Sequence, residues 1–279
     1  MGKEQSKDAR VGELDWSNQH LQELPKDRIV SLAPMDYKTV NVSHNELTSL
    51  DELQFLKYLK RINASRNLLD TYDASIVPQL SYLNLSFNRL TALPCSLPSV
   101  QTLKELILSH NQIGQLSNDI ECLQTLTFLD LSHNRLTELP ERFGCLSMLE
   151  TLYLNNNLLT TDGCKLGELY SLKMVDLSGN KLTKLPDVTF LASIQKLYLN
   201  NNNFAELSPT ISYLPKLKEI SLRGNKLCSL PREIEQNVSL RLLDLEDNKF
   251  KDPEVFNTND ISLMLQYLYG THSEKQQAI

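Results

Sequence analysis

The sequence predicts an α/β-type solenoid, a horseshoe with a parallel concave β-sheet and short irregular or helical convex segments. Three observations carry that expectation. The stretch "LTFLDLSHNRLTELP" at 126–140 returns 23 residues earlier as "LKELILSHNQIGQLS" and 23 later as "LETLYLNNNLLTTDG". An asparagine closes each copy, from Asn45 through Asn67, Asn88, Asn111, Asn134, Asn157, Asn180, Asn202 and Asn225 to Asn248, at spacings of 21 to 23. Within a copy, Leu129 and Leu131 alternate with Phe128 and Asp130, the period-two sign of a short strand with one buried face.

The elements follow in chain order. Residues 1–10, "MGKEQSKDAR", are polar and read as a flexible terminus. Residues 11–252 form the array, about eleven units counting an atypical first copy, "LDWSNQHLQELP", with Trp16 at a leucine position and Gln19 in place of the asparagine. One three-residue strand cannot bury its leucines alone, but stacked parallel copies make a continuous core. The asparagine stands where the chain leaves the strand, and its amide supplies donors and an acceptor for backbone groups there. It is therefore a structural residue. The return, "LTELPERFGCLSM", turns Leu136, Leu139, Phe143 and Leu146 inward. Strands pack about 4.8 Å apart and the bulkier returns need more room, so the stack should curve with its strands on the concave side.

Leu-Pro closes alternate units at Pro94, Pro140, Pro186 and Pro231, and "LYLNNN" occurs at 152–157 and 197–202, an alternation that reads as duplication. The exposed end of such a stack needs a cover. Residues 253–270 supply one as a helix, with Asp260 as its cap and Gly270 as its stop. Residues 271–279 read as a mobile tail. No comparable N-terminal cover is legible beyond Trp16.

The pattern L-x-x-L-x-L-x-x-N-x-L resembles the leucine-rich repeat, over almost nine-tenths of the chain. Its "LP…I…L" style is similar to the intracellular Ras-group members. That resemblance implies a protein–protein interaction scaffold or adaptor with signalling partners. The alternative it implies is a regulatory or targeting portion of a signalling enzyme such as a phosphatase, with catalysis in another domain or subunit.

Composition narrows the chemistry. The chain is 41% hydrophobic and 22% charged, with net charge -6 and a pI near 5.5, so it lacks the broad basic surface that nucleic acid requires. No glycine-rich phosphate loop, H-E-x-x-H, nucleophile elbow or C-x-x-C appears, and nine glycines leave few loops able to wrap a nucleotide. No catalytic residue, cofactor or small-molecule substrate is expected. Cys95, Cys122, Cys145, Cys164 and Cys228 are read as reduced thiols of a cytoplasmic protein, in the absence of a signal-peptide core. The N-x-S sequons at Asn41, Asn63, Asn84 and Asn237 follow from the repeat. His110 and His133, each in "SHN", should stand side by side, but Phe87 and Asn156 at the matching positions offer no third metal ligand. Asp130, Asp176 and Asp244 share one outward strand position, and Glu105 and Glu219 another.

Two sites are expected. The outward strand positions of the middle units gather Tyr82, Glu105, Ile107, Phe128, Asp130, Tyr153, Met174, Asp176 and Tyr198. Such a surface suits a protein partner with apolar anchors beside Lys or Arg. The start "MGKEQSK" fits M-G-x-x-x-[ST], with Gly2 as the N-myristoylation acceptor and Ser6 in place. It resembles the myristoylated starts of the neuronal calcium sensors. Lys3, Lys7 and Arg10 are offset by Glu4 and Asp8. A single acyl chain without a polybasic partner implies reversible, peripheral membrane association.

Overall fold

A computed structural model describes residues 12–186, 191–252, 256 and 260–267. The chain forms two compact units divided between Asn134 and Arg135. Gly2, Gly270 and the tail at 271–279 lie outside the described residues, as does most of 253–259.

The first unit holds β1 (Glu13–Asp15), β2 (Thr39–Asn41), β3 (Arg61–Asn63), β4 (Tyr82–Asn84), β5 (Glu105–Ile107) and β6 (Phe128–Asp130). All pair in parallel, each with the next in sequence. The register repeats without slip: Val40, Ile62, Leu83, Leu106 and Leu129 occupy one buried row. In the second unit β7 (Thr151–Tyr153), β8 (Met174–Asp176), β9 (Lys196–Tyr198), β10 (Glu219–Ser221) and β11 (Leu242–Asp244) pair in the same way. Strands stop at three residues because the chain must turn at each asparagine to reach its return segment. The alternation expected from "FLD" is observed, with a buried middle residue between two half-exposed ones. These are parallel-sheet solenoid repeats.

Returns are mostly single 3-10 turns. Asp51–Phe55, Ala74–Ile76, Leu97–Ser99 and Asn118–Cys122 serve the first unit, and Glu141–Cys145, Pro209–Tyr213 and Arg232–Gln236 the second. Their brevity suits a hydrogen-bond pattern that is rarely sustained beyond a turn. Ser117 and Ser208 cap their own turns, accepting from the amides of Asp119 and Thr210. Every one of these turns except Ala74–Ile76, which buries only Ala74, sends one large side chain inside, among them Ile120, Phe143 and Ile211.

The anchor asparagines do more than close a turn. Asn111 Oδ1 accepts from the Leu90 amide (3.0 Å), while its Nδ2 donates to Leu108 O (3.0 Å) and, one repeat back, to Leu85 O (3.0 Å). Each anchor thus stitches its own turn to the preceding repeat, supplying a buried amide there with its acceptor and sharing a carbonyl with that repeat's own asparagine.

The first return is a regular helix, α1 (Lys26–Leu32), which sequence reasoning did not foresee. Pro25 leads into it, Asp27 lies in its first turn, and Ile29 is fully buried. Arg28 sits over the ring of Trp16, itself buried (5.5 Å). At the other end residues 261–267 are helical; Asp260 Oδ1 accepts from the Leu263 amide (3.1 Å) and Met264 is fully buried. Phe250 stacks on Phe256 (4.1 Å), and Phe256 meets Tyr267 edge-on.

One backbone position repeats with a positive φ. In the first unit His44, Arg66, Phe87, His110 and His133, each just before its anchor, have φ of 53° to 57°. In the second unit the same place is taken by Asn156, Gly179, Asn201, Gly224 and Asp247. Glycine adopts this left-handed turn freely, whereas a side chain there is strained. A Cβ at Gly179 would fall on Oδ1 of Asn156, and one at Gly224 on Oδ1 of Asn201. Asn in one repeat and Gly in the next form a packing couple, which accounts physically for the recurrence of "LYLNNN" every second unit.

Candidate partner-binding face

Two rows of side chains project from the strands, one before and one after the buried residue. In the first unit the leading row runs Thr39, Arg61, Tyr82, Glu105, Phe128, and the trailing row Asn41, Asn63, Asn84, Ile107, Asp130. The five candidate residues of this unit are therefore true neighbours on paired strands. In the second unit Met174 lies beside Thr151 and Lys196, while Tyr153, Asp176 and Tyr198 follow one another in the trailing row. All nine candidates are half-buried.

Their chemistry is less uniform than their register. Arg61 lays its guanidinium over the Tyr82 ring on the next strand (4.0 Å) and reaches Glu105 one strand further on (3.8 Å). One face of Tyr82 is thus covered and Glu105 is partly neutralised. Asp130 Oδ1 accepts from the backbone N–H and the hydroxyl of Ser132 (2.9 and 2.6 Å), and Asp176 Oδ1 from the Ser178 amide (2.9 Å). Asn41 and Asn84 hold Ser43 and Ser86 identically. The trailing carboxylates therefore brace the strand end, an Asx-type turn. The D/N-x-S spacing carried this signal in the sequence, and the sequons at Asn41, Asn63 and Asn84 were its visible trace.

In the second unit Tyr198 donates its hydroxyl to Glu219 (2.9 Å), which also pairs with Lys196 (3.0 Å). Desolvation first, and then the bond to Glu219, push the Tyr198 phenol up to about 12. The hydrogen bond from Lys196, then that from Tyr198, hold the Glu219 carboxyl below its usual range. Ser221 bridges onward to Asp244 (2.7 Å).

The two rows form a checkerboard in each unit. Phe128 and Ile107 sit diagonally, with Glu105 and Asp130 on the other diagonal. Met174 and Tyr153 sit diagonally, with Asp176 and Thr151 between them.

A second array lies at the turns, and sequence reasoning saw only its two histidines. Arg66 packs over Phe87 (4.1 Å), Phe87 stacks on His110 (4.0 Å, 11° between planes), and His110 stacks on His133 (4.0 Å, 11°). Burial first, then the charge of His133, lower the basicity of His110, with Asp130 acting in the opposite sense. Gly179 and Gly224 at the equivalent position were the clue that these side chains spring from left-handed backbone. Among the described residues no three His, Cys, Asp or Glu are arranged to hold a metal ion.

Comparison with known proteins bears on the architecture. The family model described as leucine rich repeat matches residues 78–136, 101–159 and 192–250. No curated protein matches the chain. Among solved structures the chain is similar to an internalin from Listeria monocytogenes, at 19% identity and TM-score 0.69, over 84% of this chain and 68% of that one. It is similar to the leucine-rich effector protein YopM from Yersinia pestis, at 29% identity and TM-score 0.64, over 88% of this chain and 64% of that one. It is also similar to the plant peptide hormone receptor RGFR1, solved in complex with RGF2, at 25% identity and TM-score 0.54. That match covers 79% of this chain and 45% of the receptor's.

Proposed function

The chain belongs to the leucine-rich repeat family, and from that premise we propose that it is a protein-interaction scaffold, an adaptor that takes its partner on the strand face. The observation that carries this reading is the checkerboard: apolar side chains on adjacent paired strands, Ile107 with Phe128 and Tyr153 with Met174, set diagonally beside carboxylates. Parallel pairing fixes their spacing, so little side-chain entropy remains to be lost on binding. Aromatic side chains so placed make favourable anchoring points. The fitting partner presents apolar anchors with Lys or Arg beside them, the charges meeting Asp130 and Asp176. The complex of RGFR1 with RGF2 supports a binding role for such an array.

The test is affinity. With the partner captured from the native cell and purified, Phe128→Ala and Tyr153→Ala should each weaken binding about fivefold or more, the equivalent of roughly 1 kcal/mol. Thr39→Ala, on the strand face but outside the checkerboards, should bind as the parent does. Equal affinities for all three would move the site elsewhere.

We also propose that Gly2 is N-myristoylated after loss of Met1, on the strength of "MGKEQSK", and that this brings the scaffold reversibly to membranes. Intact mass of the native protein should show the added C14 acyl group, and Gly2→Ala should shift it from membrane to soluble fractions. A native population with free or acetylated termini throughout would remove this part of the reading.

A further inference from the structure

We infer that the turns of the first unit carry a second docking surface, built on the column Arg66–Phe87–His110–His133 and fitted to an extended acidic segment of a protein partner. It is separate from the strand face and does not rest on how that face is used.

The column is rigid before anything binds. Its four members have nearly the same left-handed backbone, with φ of 53° to 56°, and each is followed by an anchor asparagine bonded into the preceding repeat. Stacking then fixes the planar groups at about 4 Å from one another. A partner meets planar groups already held in place, which removes much of the ordering cost of association.

Stacking also decides what is on offer. Because the rings lie face to face, their faces are spent on each other and their edges are what a partner reaches. Guanidinium and imidazole edges carry N–H donors. The surface therefore calls for acceptors, carboxylates above all, which guanidinium matches in both charge and geometry.

Charge points the same way. Arg66 and, on the following turn, Arg89 are exposed, and among the described residues no ion pair ties either to a carboxylate. Elsewhere in this unit Lys26 pairs with Glu52, Lys38 with Asp36 and Arg61 with Glu105. On the preceding turn Glu46 meets His20 (3.9 Å) and Gln22 (3.3 Å). Two unmatched guanidinium groups beside a donor-rich column are complementary to an acidic chain laid across successive turns.

Nucleic acid fits less well. Rings already stacked in parallel leave no gap into which a base could slide.

The experiment uses the full chain in fluorescence anisotropy at low ionic strength, where surface charge is least screened. Three labelled probes of similar length are compared: a peptide alternating Glu and Ala, one alternating Lys and Ala, and a single-stranded RNA. The Glu probe should bind about tenfold tighter than either of the others. Arg66→Gln and Arg89→Gln should each weaken it about fivefold, whereas Arg61→Gln and Phe128→Ala should leave it within about twofold. The Phe128→Ala arm separates this surface from the strand face, so either can fail alone. Melting temperatures are recorded for every variant; should Arg66→Gln not fold, the exposed Arg89 carries the same test. Binding of the RNA probe as tight as that of the Glu probe would overturn the inference, as would equally tight Lys-probe binding that the two arginine variants weaken. So would folded arginine variants that keep parental affinity.

Discussion

Asn134→Ala tests the physical logic of the array most directly. Asn134 is buried, and its side chain makes four bonds. Oδ1 accepts from the Ile113 amide (3.0 Å), and Nδ2 donates to Leu108 O (2.9 Å), Leu131 O (3.0 Å) and Ser132 O (3.2 Å). Alanine would remove all of these and leave the Ile113 N–H without its partner inside a dry core, while the Leu108 carbonyl keeps its bond from Asn111 Nδ2. A buried polar group left without its partner costs about 1–3 kcal/mol, and that is the loss expected. The structure itself supplies the control. Asn248 makes the equivalent bonds to Leu227 N, Leu222 O, Leu245 O and Glu246 O, but at a partly solvated site. Water can replace those partners, and Asn248→Ala should cost only about 1 kcal/mol. Urea titrations followed by far-ultraviolet circular dichroism, with the fluorescence of the buried Trp16 as a second probe, would measure both. Equal losses for the two variants, or less than about 1 kcal/mol for Asn134→Ala, would refute the claim that cross-repeat bonding makes these asparagines indispensable.

Gly224→Ala should destabilise by about 1–2 kcal/mol, since φ is +69° and the new methyl meets Asn201. Adding Asn201→Ala should recover the steric part but not the backbone part, which a double-mutant cycle separates. Tyr198, held near 12, should titrate well above the ordinary phenol range, and Glu219→Gln should bring it down, read from phenolate absorbance or NMR. The folded state holds this proton longer than the unfolded chain, so its contribution is complete below pH 10 and lost as pH rises towards 12. Glu219 behaves oppositely: its contribution is present above the usual carboxylate range and lost on acidification through its lowered value, a dependence that Lys196→Met should weaken. Among the cysteines, fully buried Cys164, its thiol pushed to about 12, should resist a thiol reagent until the protein unfolds, while exposed Cys95, Cys145 and Cys228 react at once.

The sequence by itself determined which residues are buried. Leu129, Leu131, Leu136, Leu139, Phe143 and Leu146 all lie inside as their spacing predicts. The reason is that burial in a solenoid follows from position within one unit, and that period is written in the chain. The outward rows were legible for the same reason, so Tyr82, Glu105, Ile107, Phe128 and Asp130 were found on one face before any coordinates were considered. What those side chains do there was not legible. The bracing of Ser132 by Asp130, the covering of Tyr82 by Arg61 and the bond from Tyr198 to Glu219 depend on which side chain meets which, within a turn or on the neighbouring strand. α1 was missed because its repeat lacks the asparagine and the leucine that calibrate the others. The turn column was missed because nothing in the letters "SHN" announces a positive φ. Only stacking of the repeats holds His110 and His133 in that strained conformation and lays their rings together, 4.0 Å apart.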